Sequence, residues 1–549
     1  MKYVYVLLIC LNCCVVHGQH NNDVYDLEFR QCLNEDGRWN ITPFMAGNGG
    51  SACSVDSTEF VQGKYPLIFR SIEMFPASRS YYRFSARLSQ QLFIPGNYQQ
   101  LEFTLNSKCL NVNRGWLKVV ALNEKEECLY QDSVQIHKKD EWSRCVLKLP
   151  AQGACLFRIE IYAVGEDDWP KASLFSVDRI QILGDGKNID WSESLPVLEE
   201  NTFEYVGSWP ESVLPFVENK RIIALAETVH GDSLIAVSER KFVRHLVWQN
   251  KCKLILMELP YDYTLLMNLY IQGNSHIGAE ELLQYARIVQ FDSDFDIAFL
   301  NELREYNRLN KEKVYIVGIN RMTWNNEYLF RFWECVDGKK LEFGLLRKYL
   351  VSGKIMEAMK EFDGKGGTTQ WKQMDIFWFR MALKQLLSQR KIRDVAVGWV
   401  KGQDEIMKDN IIWMVDSLLK QDKKAVIIGH LLHFNKVNNM APVIEKSCGN
   451  YLSQRFGDDY GVIGILKGEG NIWGKSLKMN RKVLHPLELP QGREFLEYTC
   501  SSKSESDFVG NWVTSGRVGW LRFCGKYASR ILCVPVALPQ RMDCFLWVR

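Results

Sequence analysis

The hydrophobic periodicity of this chain changes once, and that change constrains what it can fold into. From about Asp23 to Leu183, apolar residues alternate or run at strand length. Examples are Tyr81-Tyr82-Arg83-Phe84-Ser85-Ala86-Arg87-Leu88, Leu101-Glu102-Phe103-Thr104-Leu105, Trp116-Leu117-Lys118-Val119-Val120-Ala121-Leu122 and Leu156-Phe157-Arg158-Ile159-Glu160-Ile161-Tyr162. Gly, Asn, Pro and Asp punctuate them, as turns between strands require. Ser176-Val177-Asp178-Arg179-Ile180-Gln181-Ile182 reads as a closing strand. After a polar, turn-rich stretch that starts at Gly184-Asp185-Gly186-Lys187-Asn188 and ends near Pro210, strands alternate with helices. That pattern specifies a mostly parallel sheet. A chain of 549 residues exceeds a single core. The expected fold class is therefore multidomain: an all-β sandwich or jelly roll over 19–185, a linker over 186–213, and an α/β domain over 214–549. Long helices with few strands between them predict a helical lobe at about 325–420 in that last domain.

Residues 1–18 have the form of an export signal: Lys2 at the start, an apolar run Val4–Leu11, and Val16-His17-Gly18 ending in a small residue. The apolar run is shorter than the ~20 residues a membrane-spanning helix needs. No other stretch is long and apolar enough to span. A lipid anchor on Cys13 or Cys14 would follow Leu11 and Asn12, which are not the usual small residues. The expected location is periplasmic or extracellular. Of the 16 cysteines, 13 follow the signal, an odd number, and none of these forms a C-x-x-C pair. Cys109 with Cys128 and Cys145 with Cys155 are candidate hairpin neighbours for disulfides, with buried free thiols as the alternative. A net charge of +3 gives no reason to expect nucleic acid or an anionic membrane as partner. Aromatic content of 12% suits filled cores or ring-binding surfaces.

The α/β region repeats one design at four strand ends. Ile222-Ile223-Ala224-Leu225-Ala226 reads as a strand buried on both faces, and it delivers Glu227 and His230 before Gly231 turns the chain. Leu254–Met257 ends in Glu258, Val314–Ile319 in Asn320, and Ala425–Gly429 in His430 with His433 beyond it. In open α/β sheets ligands bind outside the carboxyl ends of the strands. If these strands are parallel neighbours, two carboxylates and three imidazoles converge at one rim, in a chain with nine His. Taken singly, such a Glu usually caps a helix and such a His usually packs; their recurrence makes the rim a candidate active site. The intervening helices are expected at Gly278–Gln290, Asp294–Leu309, Phe343–Phe362, Met374–Gln389 and Asp404–Leu419.

Familiar chemistries are excluded by what is missing. There is no Gly-x-Ser-x-Gly elbow for a serine nucleophile. Gly474-Lys475-Ser476 lacks the first glycine of a phosphate loop, where Glu469 stands. His430-x-x-His433 could ligate a metal, but no His-Glu-x-x-His accompanies it, and no metal or other cofactor is expected.

The same residues carry a family resemblance. Ala224-Leu225-Ala226-Glu227-Thr228-Val229-His230-Gly231 resembles the G-L-G-E-A-T-H-G signature of the erythromycin esterase family. Arg244, Leu246 and Val247 fit its R-x-L-V helix, and Glu258 its second-strand glutamate. Leu303-Arg304-Glu305-Tyr306-Asn307 is similar to its L-R-x-Y-N, and Asp404-x-x-Met407-x-x-Asn410-x-x-Trp413 to its D-x-x-M-x-x-N-x-x-W. His430-Leu431-Leu432-His433 and Gly468-Glu469-Gly470 match its H-N-x-H and G-E-G. The resemblance spans about 200–549. It implies metal-free hydrolysis of an ester, typically a macrolide lactone, by activated water. His230 would be the general base, with Glu227 and Glu258 orienting the histidines. His430 and His433 would stabilise the oxyanion or protonate the leaving alkoxide. Arg244, Asn320 and Glu469 would contact substrate. Departures surround this set: Ser233-Leu234-Ile235 replaces a charged run, Glu239 stands for an arginine, Asn320 for an Asp, Gln403 for an Arg and Leu431 for an Asn. They point to retained chemistry on another substrate.

The expected function is thus an exported ester or lactone hydrolase acting on a small-molecule or glycan-linked ester. Its N-terminal sandwich resembles carbohydrate-binding modules, a likeness of fold that leaves two readings, a carbohydrate-binding partner site or a structural spacer. The alternative is a catalytically lapsed binding protein that keeps the pocket.

Overall fold

A computed structural model describes residues 25, 27, 40–41, 51–55, 66–71, 73–75, 80–81, 84–94, 96–165, 172–191, 197–199, 201–289, 297–323, 327–337, 344–364, 371–393, 398–437, 446–475, 482–504, 506–513, 518–524 and 531–549. The expected export signal at 1–18 lies outside the described residues. The chain divides into two compact units. The first comprises Met1–Val197, Val518–Trp520 and Leu532–Val536; the second comprises Leu198–Arg517, Leu521–Ile531 and Ala537–Arg549.

The first unit is built on two antiparallel sheets. One is ordered Asn40–Ile41, Ser85–Phe93, Leu156–Gly165, Val112–Leu122, Cys128–Gln135; the other Ser143–Pro150, Gln100–Leu110, Leu174–Gly184, Leu67–Ser71, Ser51–Val55. Period-two alternation sets which side chains go inward. In Ser143–Pro150, Cys145, Leu147 and Leu149 are buried while Arg144, Val146 and Lys148 are exposed. Phe103 from one sheet packs on Phe157 from the other, with ring centroids 6.3 Å apart. Buried Leu88, Leu105, Leu117, Val119, Ile159 and Ile161 complete a sandwich core. Cys109, Cys128, Cys145 and Cys155 are free thiols, so neither expected disulfide forms. Cys109 and Cys145 are buried while Cys128 is exposed, and burial pushes the Cys145 thiol up to about 11.

The second unit holds an eight-stranded sheet in the order Phe203–Gly207, Phe508–Trp512, Cys544–Val548, Tyr460–Lys467, Ile222–Glu227, Lys424–His430, Cys252–Pro260, Tyr315–Asn320. From Cys544–Val548 to Tyr315–Asn320 every neighbour pair is parallel; Phe508–Trp512 runs the other way. All of Ile222–Glu227 and Tyr460–Lys467 is buried, as expected of strands covered on both faces. The 186–213 stretch is more than a linker, because Phe203–Gly207 pairs with Phe508–Trp512 as the sheet's edge. Its polar look follows from that position, with Phe203 buried and Glu204, Tyr205 and Val206 exposed.

Between Asn320 and Lys424 lie the helices Glu327–Asp337, Gly344–Ser352, Ile355–Gly364, Gln373–Arg393 and Gly398–Leu418. The single helix expected over Phe343–Phe362 is two, because Gly353 takes a φ of +77° and ends the first. Aromatic residues gather here as core: Trp333 packs edge-on against Trp371 and against Phe379, each at 4.9 Å. Among the described residues no helix is long and apolar enough to cross a membrane.

Candidate active site

The central strand Ile222–Glu227 lies between Tyr460–Lys467 and Lys424–His430; the chain runs from it to Cys252–Pro260 on one side, whereas from Tyr460–Lys467 the chain goes on to strands lying farther out on the other side. Such a switch point opens a crevice at the carboxyl end. In register, Glu227 pairs with His430 on one side and Ile465 on the other. The loop beyond is strapped in place by backbone bonds: Thr228 N–H to Ile465 O at 2.9 Å, Cys524 N–H to Thr228 O at 2.9 Å, and His230 N–H to Cys524 O at 2.9 Å. The helix Ser233–Trp248 then starts on Asp232, whose carboxylate accepts the N–H groups of Leu234 and Ile235. Buried Lys467 stands 3.6 Å from that carboxylate.

Five of the predicted residues are brought together. Glu227 Oε1 accepts a hydrogen bond from His230 Nδ1 at 2.5 Å. This fixes the tautomer and leaves Nε2 as the nitrogen able to act as base. The His230 ring sits 4.6 Å from the His430 ring. Glu258 Oε2 accepts the His430 backbone N–H at 2.9 Å, and Glu258 Oε1 lies 3.6 Å from His433 Nε2.

His430 has a different part from the one expected of it. Its Nε2 donates to Thr228 O at 3.1 Å, and its Nδ1 accepts from Leu432 N–H at 3.3 Å. Both nitrogens therefore serve the backbone. Burial, then the neighbouring His230 and His433, push its pKa well below the usual histidine value. That direction and the two backbone bonds agree: one ring nitrogen donates and the other accepts. His433 is its opposite. Burial alone would lower its pKa, but the Asp404 and Glu258 carboxylates outweigh burial and hold it up at about 9. Asp404, fully buried, faces His433 Nδ1 at 3.1 Å and accepts the Cys448 N–H at 2.8 Å. Asp404 was in view as a motif residue, but its pairing with His433 carried no local signal in the sequence.

Of the three expected substrate contacts, Arg244 and Asn320 make bonds within the chain and Glu469 is exposed. Arg244 makes a bidentate pair with Glu302, through Nε at 2.6 Å and an amino group at 2.8 Å, on an exposed helix face. Its fork is thus spent on a helix–helix tie. Asn320 ends the outermost parallel strand and caps its own chain, accepting the Arg321 N–H at 2.7 Å. Glu469 is exposed just past Tyr460–Lys467. Glu239, where the resemblance expects an arginine, is buried; with Arg240 it lines a recess bounded by Met257, Met267, Phe299 and Ile428. Among the described residues no group of three or more His, Cys, Asp or Glu is arranged to hold a metal ion.

The two buried histidines predict a peaked stability profile. His433 binds its proton more tightly folded than unfolded, so its contribution is full below pH 6.5 and drains away as pH rises through about 9. His430 is neutral when folded, so its contribution is present above 6.5 and lost on acidification. Urea midpoints measured across pH should therefore be highest near the ordinary histidine value and fall on both sides. An alkaline limb unchanged by Asp404→Asn would contradict the assignment.

Comparison with known proteins gives one family match: residues 351–549 match the family model described as erythromycin esterase. That segment holds Asp404, His430, His433 and Glu469. No curated protein matches the chain in sequence. Among solved structures the chain is similar to a succinoglycan biosynthesis protein, at 16% identity over 64% of this chain and 93% of that one, TM-score 0.48. It is also similar to a mutant erythromycin esterase in its open conformation, at 15% identity over 62% and 92%, TM-score 0.41. A carbohydrate-binding module of the β-sandwich superfamily matches at 14% identity over 29% and 62%, TM-score 0.22.

Proposed function

We propose that this chain is an exported hydrolase of the erythromycin esterase kind, cleaving an ester or lactone with water activated by His230. The observation that carries the reading is the 2.5 Å hydrogen bond from His230 Nδ1 to Glu227, with the His430 ring 4.6 Å from that of His230. The family match over 351–549 supports it, and the 1–18 pattern supports export.

In this scheme His230 Nε2 takes a proton from water as the oxygen attacks the ester carbonyl carbon. Glu227 stabilises the imidazolium that forms, as a buried carboxylate does for a histidine base. His433, whose nitrogens face Asp404 and Glu258, ties these two carboxylates together behind the strand ends. When the carbon–oxygen bond to the leaving group breaks, the His230 proton passes to the alkoxide, yielding acid and alcohol. Glu258 and His430 hold the strand ends in register. No step calls for a metal.

The test is a panel of aryl esters, acetylated sugars and macrolide lactones offered to the purified protein, with and without chelator. Turnover that survives chelation and falls about a hundredfold in Glu227→Gln is expected, since general base catalysis supplies roughly 10²–10⁴. Turnover abolished by chelator would contradict the reading.

A further inference from the structure

We propose that Leu234, Val237, Trp473 and Leu484 form the binding surface for a bulky apolar group of the ester, so that the enzyme selects lipophilic esters over short-chain ones. This rests on the reading of His230 as the base. All four are unusually open for large apolar residues: Leu234 is 52% exposed, Val237 55%, Trp473 47% and Leu484 50%. Exposed apolar residues scattered singly need no explanation, but a gathering of them marks an interaction site.

These four lie on two elements that adjoin one loop, the helix that follows it and a hairpin bonded to it. Leu234 and Val237 are three residues apart in the helix Ser233–Trp248, which places them on one helix face. That helix starts directly after the catalytic loop, and Asp232 pins the Leu234 N–H at 2.8 Å. Trp473 and Leu484 stand opposite each other in the hairpin Gly470–Lys475 with Lys482–Leu487, so they share a face of it. The hairpin is docked on the loop by Trp473 N–H to Gly231 O at 3.0 Å. Gly231 makes that docking possible: it has a φ of +82°, and a Cβ there would come within 2.0 Å of the Trp473 carbonyl oxygen. One apolar pair therefore follows His230 by a few residues, and the other is tied by a backbone bond to Gly231, the residue after it.

The His230 side chain is also the open member of its pair, 26% exposed against 8% for Glu227. A substrate reaching His230 from solvent arrives beside these side chains. Leu234, Val237 and Leu484 offer nothing to a sugar's hydroxyls, so the set suits an alkyl or aryl group rather than a carbohydrate ring.

The experiment compares 4-nitrophenyl acetate with 4-nitrophenyl decanoate for the wild type, Leu234→Gln and Trp473→Ala. In either variant the decanoate-to-acetate ratio of kcat/KM should fall about tenfold, through KM, in line with the discrimination apolar contacts provide. An unchanged ratio, with both esters losing equally or neither losing, would overturn the proposal. Calorimetric binding of N-decylacetamide to the His230→Asn protein reads the surface without turnover, and should weaken about fivefold on adding Leu234→Gln. If the wild type cleaves no ester, the hydrolase reading fails and this binding measurement alone decides the surface. No binding, or equal binding, sinks it. So does a dimer that Trp473→Ala dissociates in sedimentation, which would make the patch a contact between copies.

Discussion

Replacing His230 by Asn is expected to lower kcat on every ester the protein cleaves by about 10²–10⁴-fold, the share a positioned general base supplies. Asn fits the space and can still hydrogen-bond Glu227 through its amide, so the loop should hold. What it lacks is a nitrogen that takes a proton. The loop has independent anchors in the backbone bonds from His230 N–H to Cys524 O and from Trp473 N–H to Gly231 O, neither of which involves the imidazole. KM should therefore move little while kcat collapses, the pattern of an interaction made only in the transition state. A rise in KM as large as the fall in kcat, or a large loss of stability, would mean that the imidazole was structural.

The second large effect is on folding. Asp404→Ala should destabilise the protein by about 3–5 kcal/mol at pH 7, the usual cost of breaking a buried ion pair and leaving one charge behind. Asp404 is fully buried and satisfies two donors, His433 Nδ1 at 3.1 Å and the Cys448 N–H at 2.8 Å. Removing it strands both. Glu258, 3.6 Å from the other ring nitrogen, remains to hold part of the charge, so His433 should keep a proton at neutral pH but titrate lower than in the wild type. Urea denaturation gives the stability and an NMR titration of His433 the shift. A loss below about 1 kcal/mol would place the pair among weak, solvated ones.

Much of this was legible in the sequence, for reasons that differ by element. The period-two alternation in Ser143–Pro150 and the unbroken apolar run Ile222–Ala226 each admit one kind of burial, and both are found so. The strand-end residues Glu227, Glu258 and His430 were readable because a polar residue closing a buried strand stands out, and parallel neighbours bring such ends together. What escaped reading depends on pairing across the fold. Nothing near Arg244 announces Glu302, 58 residues on, so a guanidinium placed by resemblance in the substrate site turned out to tie two helices. Nothing near His430 announces the Thr228 carbonyl, 202 residues back, which engages its Nε2. The edge strand Phe203–Gly207 reads as linker in sequence because an edge buries so little, and here one residue, Phe203, is covered.

The account stands most directly on acid release from esters, followed by pH-stat for the folded wild type and for His230→Asn of matched thermal stability. The prediction is steady turnover by the wild type on at least one ester of the panel, insensitive to chelator, and a kcat about a hundredfold lower or less in the variant. Equal rates from the two proteins, or no turnover by well-folded wild type on any ester, would contradict a His230-activated hydrolase and leave a binding protein built on the same pocket.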